Sequence, residues 1–455
     1  MLRLAGYRSA SKKKKAGYRS SIAAEKRRRR RVLMDNGGPR RRGLKPSGAM
    51  EGKSSAKKKA RTAVPATASL LTDDLILEIL SRLPARSVHR FKCVSPAWRD
   101  LIADPAHRKK LPQPLAGFLY NTYHRPDPRF YNFHFAKVSG AAAPPVDPSL
   151  SFLPSDEYWY VDQLDTCNGL LLCRAHMLPS SPSGDKNTRV ESHYIVCNPA
   201  TGRWVDLPPH PEVPPGGRIF ARLAFDPAAS SHFHVLQFKD SQQKEYVTGV
   251  NIYSSQTGAW ICRESRLVEK ISLFTGLASV FFHGMLHLLG LLYPMNMEDD
   301  AVLVAVDMEG QVWNTIRVPS GGLSFGRIGL SQGCLHYAAT PLATDDKKKK
   351  ERKKKKNDTS TVWCMKDYDS KEWVLKHSVS KDELRSITGV DYKVAAFHPD
   401  RETIFLDSYD VDTLVSYDMQ HRKFHQIRSL RENRATLFVP YVPLFSDSFA
   451  GADGQ

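Results

Sequence analysis

His283 and His287 stand four residues apart in the run Phe282-His-Gly-Met-Leu-His287. On a helix that spacing aims two imidazoles at one zinc ion, but a metalloprotease helix carries a glutamate beside the first histidine, and here the intervening residues are Gly284, Met285 and Leu286. In the β-type run they occupy, both rings fall on one face of a strand, with ordinary packing as the leading role and a shared metal as the alternative. Cys93, Cys167, Cys173, Cys197, Cys262, Cys334 and Cys364 are scattered, odd in number and never spaced C-x-x-C. That argues against a zinc site and for a reducing compartment. Asp226 and Asp307 each follow an apolar run, where turn chemistry already calls for an Asx residue. No G-x-S-x-G elbow, phosphate-cradling glycine loop or dinucleotide fingerprint occurs. The chain is therefore read as non-catalytic, with no metal and no cofactor.

The densest patterning lies elsewhere, between Leu71 and Ile102. Leu71, Leu75, Ile76, Ile79, Leu80 and Leu83 share one face of a 3.6-residue period. Thr72 is a helix cap, Asp73 and Asp74 place negative charge at the positive end of the dipole, and Pro84 stops the helix. Ser87 opens a second helix lined by Val88, Phe91 and Val94. Ser95-Pro96 opens a third, with proline at the position where its missing N–H costs nothing. Trp98, Leu101 and Ile102 form its apolar side, and Asp104-Pro105 ends it. So small a unit cannot bury all of these side chains by itself, which fits a docking module or, equally on periodicity alone, a helical hairpin set in a larger core.

The order of residues goes further. Leu71-Thr-Asp-Asp-Leu75, Glu78-Ile-Leu-Ser-Arg-Leu-Pro84, Phe91-Lys-Cys-Val-Ser95 and Trp98-Arg-Asp-Leu-Ile102 closely resemble the F-box. Thr72 stands where that family usually has proline, and Pro96 where lysine is common. The resemblance implies a segment that binds the Skp-type adaptor of a cullin-based ubiquitin ligase. Carried over by position, the contacts would be Leu71, Leu75, Ile79, Leu80, Leu83, Pro84, Val94 and Trp98. Some of these must instead hold the helices together, and the sequence does not divide the two groups.

The net charge of +20 suggests a nucleic-acid partner until its location is examined. Residues 1–67 hold 22 Lys/Arg against 3 Asp/Glu, the run 347–356 adds +8, and everything else sums to −7. The basicity belongs to two appendages on a mildly acidic body. The N-terminal one is poor in large apolar residues and is expected to be disordered. Its runs Lys12, Lys13, Lys14, Lys15 and Arg27, Arg28, Arg29, Arg30, Arg31 read as nuclear import signals or as nonspecific nucleic-acid contacts, with a solvated tail that nothing reads as the equal alternative. An organelle transit peptide fits the Arg- and Ser-rich composition but not five arginines in a row. No stretch reaches the roughly 18 apolar residues that cross a membrane. The expected location is nucleus, cytoplasm or both.

From about Leu115 onward short β-rich runs take over. An apolar strand, a polar turn and an aromatic recur at Trp204, Trp260, Trp313, Trp373 and Phe424, at intervals of 56, 53, 60 and 51 residues. Between them lies a second unit, a glycine-bearing turn before an apolar strand, as in Cys167-Asn-Gly-Leu-Leu-Leu-Cys173, Phe282-His-Gly-Met-Leu and Gln332-Gly-Cys-Leu-His-Tyr337. Two hairpin signals per period indicate a four-stranded blade repeated about an axis, and the region divides into about six blades. The longest interval carries the lysine-rich insert. The recurring aromatics are expected to pack between blades, with ligand stacking as the alternative. The pattern resembles the F-box-associated, kelch-like repeat region behind plant F-boxes, most closely in Cys167-Asn-Gly-Leu-Leu-Leu and Cys197-Asn-Pro-Ala-Thr-Gly-Arg-Trp204.

The fold class expected is thus α+β and multidomain: a disordered basic tail over 1–67, a three-helix F-box over 68–110, and an all-β, propeller-like domain over 115–445 with a lysine-rich loop at 345–358. A β-sandwich is the alternative for the last part. The function implied is a substrate receptor, whose helices dock the Skp-type adaptor and cullin core while the β domain holds an unidentified target protein. A nuclear interaction scaffold without a ligase is the second reading. No membrane partner is expected, and nucleic acid only nonspecifically through the tail. The proline-rich segments 142–154 and 208–215 are expected near the target.

Overall fold

The computed structural model describes residues 71–83, 87–88, 91, 94–104, 107, 115–123, 131–138, 147, 149–154, 157–177, 192–209, 219–241, 244–293, 301–319, 324–341, 359–408, 413–429 and 435–444. The tail over 1–67 with its two import runs, Pro84, Cys93 and the insert at 345–358 lie outside the described residues.

Helix α1, Asp73–Ser81, starts where its cap predicts: Thr72 Oγ1 accepts from the backbone N–H of Leu75 at 3.5 Å, with Asp73 and Asp74 in the first turn. Helix α2, Pro96–Ala103, begins on Ser95, whose Oγ accepts from Trp98 N–H at 3.2 Å. Between them Ser87, Val88 and Phe91 are helical. Ile76, Leu77, Leu80, Val88, Leu101 and Ile102 are buried together, with Leu83, Phe91 and Trp98 packed against them.

Strands β1 (Gly117–Tyr123) and β2 (Tyr131–Lys137) form an antiparallel pair that finds its third strand only at the far end of the chain. Next come β3 (Tyr158–Cys167), β4 (Leu170–Met177), β5 (Ser192–Asn198) and β6 (Arg203–Asp206), one meandering sheet. The second sheet holds β7 (Ile219–Phe225), β8 (Phe233–Ser241), β9 (Lys244–Ser254) and β10 (Ala259–Glu264). In the third, a split inner strand, β11 (Ile271–Leu273) and β12 (Val280–Phe282), pairs with the two ends of β13 (Met285–Leu292), followed by β14 (Ala301–Asp307) and β15 (Trp313–Arg317). The fourth contains β16 (Ser324–Ser331), β17 (Cys334–Pro341), β18 (Thr359–Met365) and β19 (Trp373–Ser380). Helix α3 (Lys381–Thr388), capped by Ser380, leads to the fifth: β20 (Tyr392–Phe397), β21 (Thr403–Ser408), β22 (Thr413–Asp418) and β23 (Lys423–Ser429). Finally β24 (Ala435–Tyr441) pairs with β1 and completes a sheet ordered β2-β1-β24.

The inner strands touch in succession, β3 to β7 to β12 to β16 to β20 to β24 and back to β3. The chain is a six-bladed β-propeller, and the β-sandwich alternative falls because six separate sheets close one ring. Closure joins strands from the two ends of the domain.

The middle strands of each blade are covered on both faces by neighbouring blades. That is why β13 and β14 are near-continuous apolar runs rather than alternating ones. Outer strands such as β10 face water, with no fully buried residue along its length. Each recurring aromatic sits in the seam shared with the preceding blade. Trp260 packs among Tyr194, Val196, Leu223 and Tyr253, and Trp313 packs with Leu236, Phe238, Leu286 and Leu288. Trp373 and Phe424 occupy the next two seams, and Trp204 lies between the first blade and the closing sheet. Trp260 Nε1 donates to Pro208 O at 3.0 Å and Trp373 Nε1 to Arg317 O at 3.0 Å, each across a seam. Packing between blades, not ligand stacking, accounts for the spacing of the repeats.

The turns repeat as well. Asn198, Asp307, Asp367 and Asp418 each accept a backbone N–H from two to four residues on, and Ser254 does the same through its hydroxyl. The residue closing each turn is left-handed: Gly202, Gly258 and Gly310 in the first three, then Lys371 and Arg422. The later copies look degenerate because ordinary residues there tolerate the strained conformation, not because the turn differs. Asp226 caps the loop after β7 by accepting from Ala228 N–H.

Candidate functional site

The helical unit divides its apolar residues into two sets. Leu80 is 0% exposed and Leu77 is also enclosed, whereas Leu71, Leu75, Ile79 and Val94 are 44%, 50%, 44% and 58% exposed. The broad stripe read from periodicity therefore splits along its length: Ile76, Leu80 and Leu83 turn inward, and Leu71, Leu75 and Ile79, spaced four apart, run along the outside. Leu80, carried over as an adaptor contact, is instead a core residue, and Leu83 and Trp98 also pack against that core. Phe91 and Trp98 meet with ring centroids 5.4 Å apart. Pro84 is outside the described residues. Burying an exposed aliphatic side chain contributes about 1.5–3 kcal/mol, so several of them together offset much of the entropy of association. Thr72 caps α1 with its hydroxyl.

Antiparallel pairing fixes a second surface. The tight turns after Cys167, Phe282 and Ser331 emerge at one end of the propeller, together with the Asx turns of the outer hairpins. The connections that follow Met177, Asp206, Leu292, Pro341 and Ser408 therefore leave from the opposite end. Gly117, where the chain from the helices enters, pairs with Tyr441 at the turn-bearing end. The chain from the helices thus enters at one end, and the long connections, including the one that carries the lysine-rich insert, leave from the other. Of the proline-rich segment 142–154, Leu150 and Leu153 are buried between the closing sheet and the first blade and do not line that end.

At the loop-bearing end of the first blade, His176 Nε2 lies 3.0 Å from Asp162 Oδ2. Nearby, the Tyr158 hydroxyl donates to Asp206 Oδ2 at 2.9 Å, with His193 at 3.4 Å from the other oxygen. Burial, reinforced by Asp206, pushes the Tyr158 phenol up. Around the inner strands, Asp165 accepts from Leu223 N–H, Ser279 Oγ and Thr166 N–H, while Arg222 donates to the carbonyls of Ala221, Thr275 and Leu277. Burial pushes the Asp165 carboxyl up against the opposing pull of Arg222. This network braces the 275–279 link that interrupts the third blade's inner strand.

His283 stands in the β12–β13 turn at φ +51° rather than in a strand. Its ring stacks on Tyr368 at 5.0 Å, and His287 Nε2 lies 2.7 Å from the same hydroxyl. The two histidines share a tyrosine. Among the described residues, no group of three His, Cys, Asp or Glu side chains is arranged to hold a metal, and the cysteines are free. No helix there is long and apolar enough to cross a membrane.

Comparison with known proteins assigns both parts. Residues 69–110 match the F-box domain, and residues 149–440 match the β-propeller of the F-box protein At3g26010-like family. The chain belongs to that family. The F-box protein At3g26010 of Arabidopsis thaliana is 24% identical over 78% of this chain and 78% of its own length. The F-box protein At5g49610 of the same plant is 25% identical over 75% of this chain and 87% of its own. A third relative, the F-box protein At5g07610, is 28% identical over 41% of this chain, which spans 44% of that protein. An F-box followed by a β-propeller is the architecture of a substrate-receptor-type protein. The exposed Leu71, Leu75, Ile79 and Val94 lie on or beside the F-box helices, and the loop-bearing end belongs to the propeller.

Proposed function

We propose that this chain is the target-recognition subunit of a cullin-based ubiquitin ligase. The F-box docks the Skp-type adaptor through Leu71, Leu75, Ile79 and Val94, and the loop-bearing end of the propeller holds the protein to be ubiquitinated. The chain itself supplies no catalytic group; it brings a target to the ligase. The observation that carries this reading is the division within the helical unit, whose core is closed by Leu77, Leu80 and their neighbours while four large aliphatic side chains stay in water. Entry of the chain from the F-box at the end opposite the long connections supports it further, because adaptor and target then do not compete for one surface.

The test is a pull-down of the full chain with purified Skp-type adaptor, beside a Leu75→Asp/Ile79→Asp variant. Both substituted side chains are exposed, so the variant keeps its fold, and loss of binding in the variant alone supports the reading. No binding by a folded wild-type chain overturns it and promotes the scaffold reading. The basic runs Lys12–Lys15 and Arg27–Arg31 support a nuclear share of the protein. A fluorescent fusion with both runs replaced by serine tests that, and unchanged nuclear signal rejects it.

A further inference from the structure

One row of side chains crosses the second blade from its interior to its outer edge. Gln237 on β8 pairs with Asn251 on β9, and Asn251 pairs in turn with Cys262 on β10. Residues directly opposite on antiparallel strands share a face, so the three side chains lie side by side. The two inner ones are polar and fully buried. Gln237 Nε2 donates to the Tyr194 hydroxyl of the first blade at 3.1 Å, and Asn251 Nδ2 donates to Gln237 Oε1 at 2.7 Å. Asn251 thus turns its amide nitrogen toward Gln237 and its Oδ1 toward the Cys262 side of the row. That oxygen is buried and has no hydrogen-bond partner, an arrangement that costs the free protein stability.

The thiol at the end of the row differs from the other cysteines. Among the described ones Cys262 alone is exposed. The Lys239 ammonium donates to its Sγ at 2.9 Å. Lys239 stands on β8, two strands away, opposite Gly249 of β9. It reaches the sulfur across that glycine, where no side chain intervenes and a Cβ would meet Arg263 O at 2.6 Å. An open sulfur, a cation and an unpaired acceptor therefore come together on three adjacent strands. Structural cysteines lie in apolar surroundings, as Cys173 and Cys197 do in the first blade, whereas reactive ones sit exposed beside positive charge.

We propose that Cys262 is a site of reversible oxidation by hydroperoxides, with Lys239 assisting the attack and Asn251 holding the sulfenic acid that forms. The thiol gives its proton to solvent, and Sγ attacks one peroxide oxygen. An S–O bond forms as the O–O bond breaks, so sulfur loses two electrons and the peroxide gains them. The leaving oxygen takes the bond pair and a proton from Lys239 and departs as water, and Lys239 regains a proton from solvent. The new S–OH donates to Asn251 Oδ1, and Lys239 donates to the new oxygen. A second thiol can then attack the sulfur, expelling that oxygen as water and leaving a mixed disulfide that further thiol reduces. This goes beyond the receptor reading and does not depend on it.

The full chain is titrated with hydrogen peroxide in the presence of dimedone, which traps sulfenic acids, and the labelled cysteines are located by peptide mass spectrometry. Cys262 should be labelled before every other cysteine. Lys239→Met should slow that labelling about tenfold or more, and Lys239→Arg, which keeps the cation, should restore part of the rate. Glutathione added after peroxide should leave a mixed disulfide at Cys262 that dithiothreitol removes. Lys239→Gln serves as a second neutral variant, and thermal melting matched to wild type shows that the variants fold. Exposure alone predicts labelling of Cys262 that is indifferent to Lys239, and that result overturns the proposal. Labelling of other cysteines ahead of Cys262, or no sulfenic acid at Cys262, overturns it equally. Adaptor capture does not enter this readout, so the two claims fail separately.

Discussion

The side-chain amide of Asn198 donates to the carbonyl of Leu444 at 2.7 Å, across 246 positions of sequence. Asn198 is buried in the first blade, and Leu444 follows the last strand, so one hydrogen bond spans the closure of the ring. The neighbouring turn fits the same segment closely: a Cβ at Gly169, whose φ is +89°, would meet the Leu444 Cβ at 2.5 Å. The Asn in each of the two turns bridges blades: Asn198 across the closure by this bond, and Asn168 to the second blade by donating to Phe225 O at 2.7 Å.

Asn198→Ala should therefore destabilise the whole propeller by about 1–3 kcal/mol, the cost of leaving a buried partner unpaired. Gly169→Ala should cost at least as much, since it combines left-handed strain with the clash against Leu444. Urea denaturation of the full chain measures both. Stability unchanged in each would show that the segment after β24 is not part of the closure.

Leu75 and Leu80 lie five residues apart in α1 and should behave oppositely. Leu80→Ala opens a cavity in a fully buried position and should cost about 2–5 kcal/mol of F-box stability. Leu75→Ala should leave stability within about 0.5 kcal/mol while weakening adaptor capture. Helical circular dichroism on heating, set beside adaptor binding, distinguishes the two. Equal thermal effects would contradict the division of the stripe into inner and outer sets.

His287 is held neutral, because burial lowers its pKa to about 4. The unfolded chain takes up a proton near the ordinary imidazole value of about 6.5, so the stability associated with this residue is complete above that pH. It is lost as pH falls from there toward 4 and is constant below. At pH 5 the expected loss is about 2 kcal/mol relative to pH 7.5. Burial also lowers the pKa of His234, His336, His377 and His398, which adds to the same slope. Comparing urea midpoints at pH 7.5 and 5 for wild type and His287→Gln isolates this residue: the variant should lose less on acidification, and identical losses would reject the assignment.

Asp165 and Arg222 should show strong coupling. No direct ion pair joins them, so removing either alone leaves the other buried charge without the opposite charge that acts on it at a distance and orphans its own hydrogen-bond partners, at about 1–3 kcal/mol. The Asp165→Leu/Arg222→Met double variant should be less destabilised than the sum of its singles. A double-mutant cycle in urea reads the coupling directly, and additive effects would show that each side chain acts only through its own backbone partners.

Much of this protein was legible before its structure was described. The caps at Thr72 and Ser95 marked helix starts correctly because capping depends on a few adjacent residues. The interval between aromatics counted the blades because every blade must solve the same packing problem at its seam. The Asx turns were legible for the same local reason. Other features were not. Periodicity placed Leu75 and Leu80 on one stripe, and nothing in their residue type separates a side chain that closes a core from one that awaits a partner. His283 fell in a turn, because a two-residue loop with glycine second interrupted what read as one strand.

By itself, then, the sequence determined what is local or periodic: the helix boundaries, the four-stranded repeat, the acidic body with basic appendages, and membership in a class of docking proteins. Only the tertiary structure decided which apolar residues face water, how β24 joins β1 and β2 to close the ring, and which end of the propeller carries the long connections. The reason is physical. Local conformation follows from neighbours a few residues away, whereas exposure and closure depend on contacts between residues as distant as Asn198 and Leu444, which the chain brings together only when the last strand is in place.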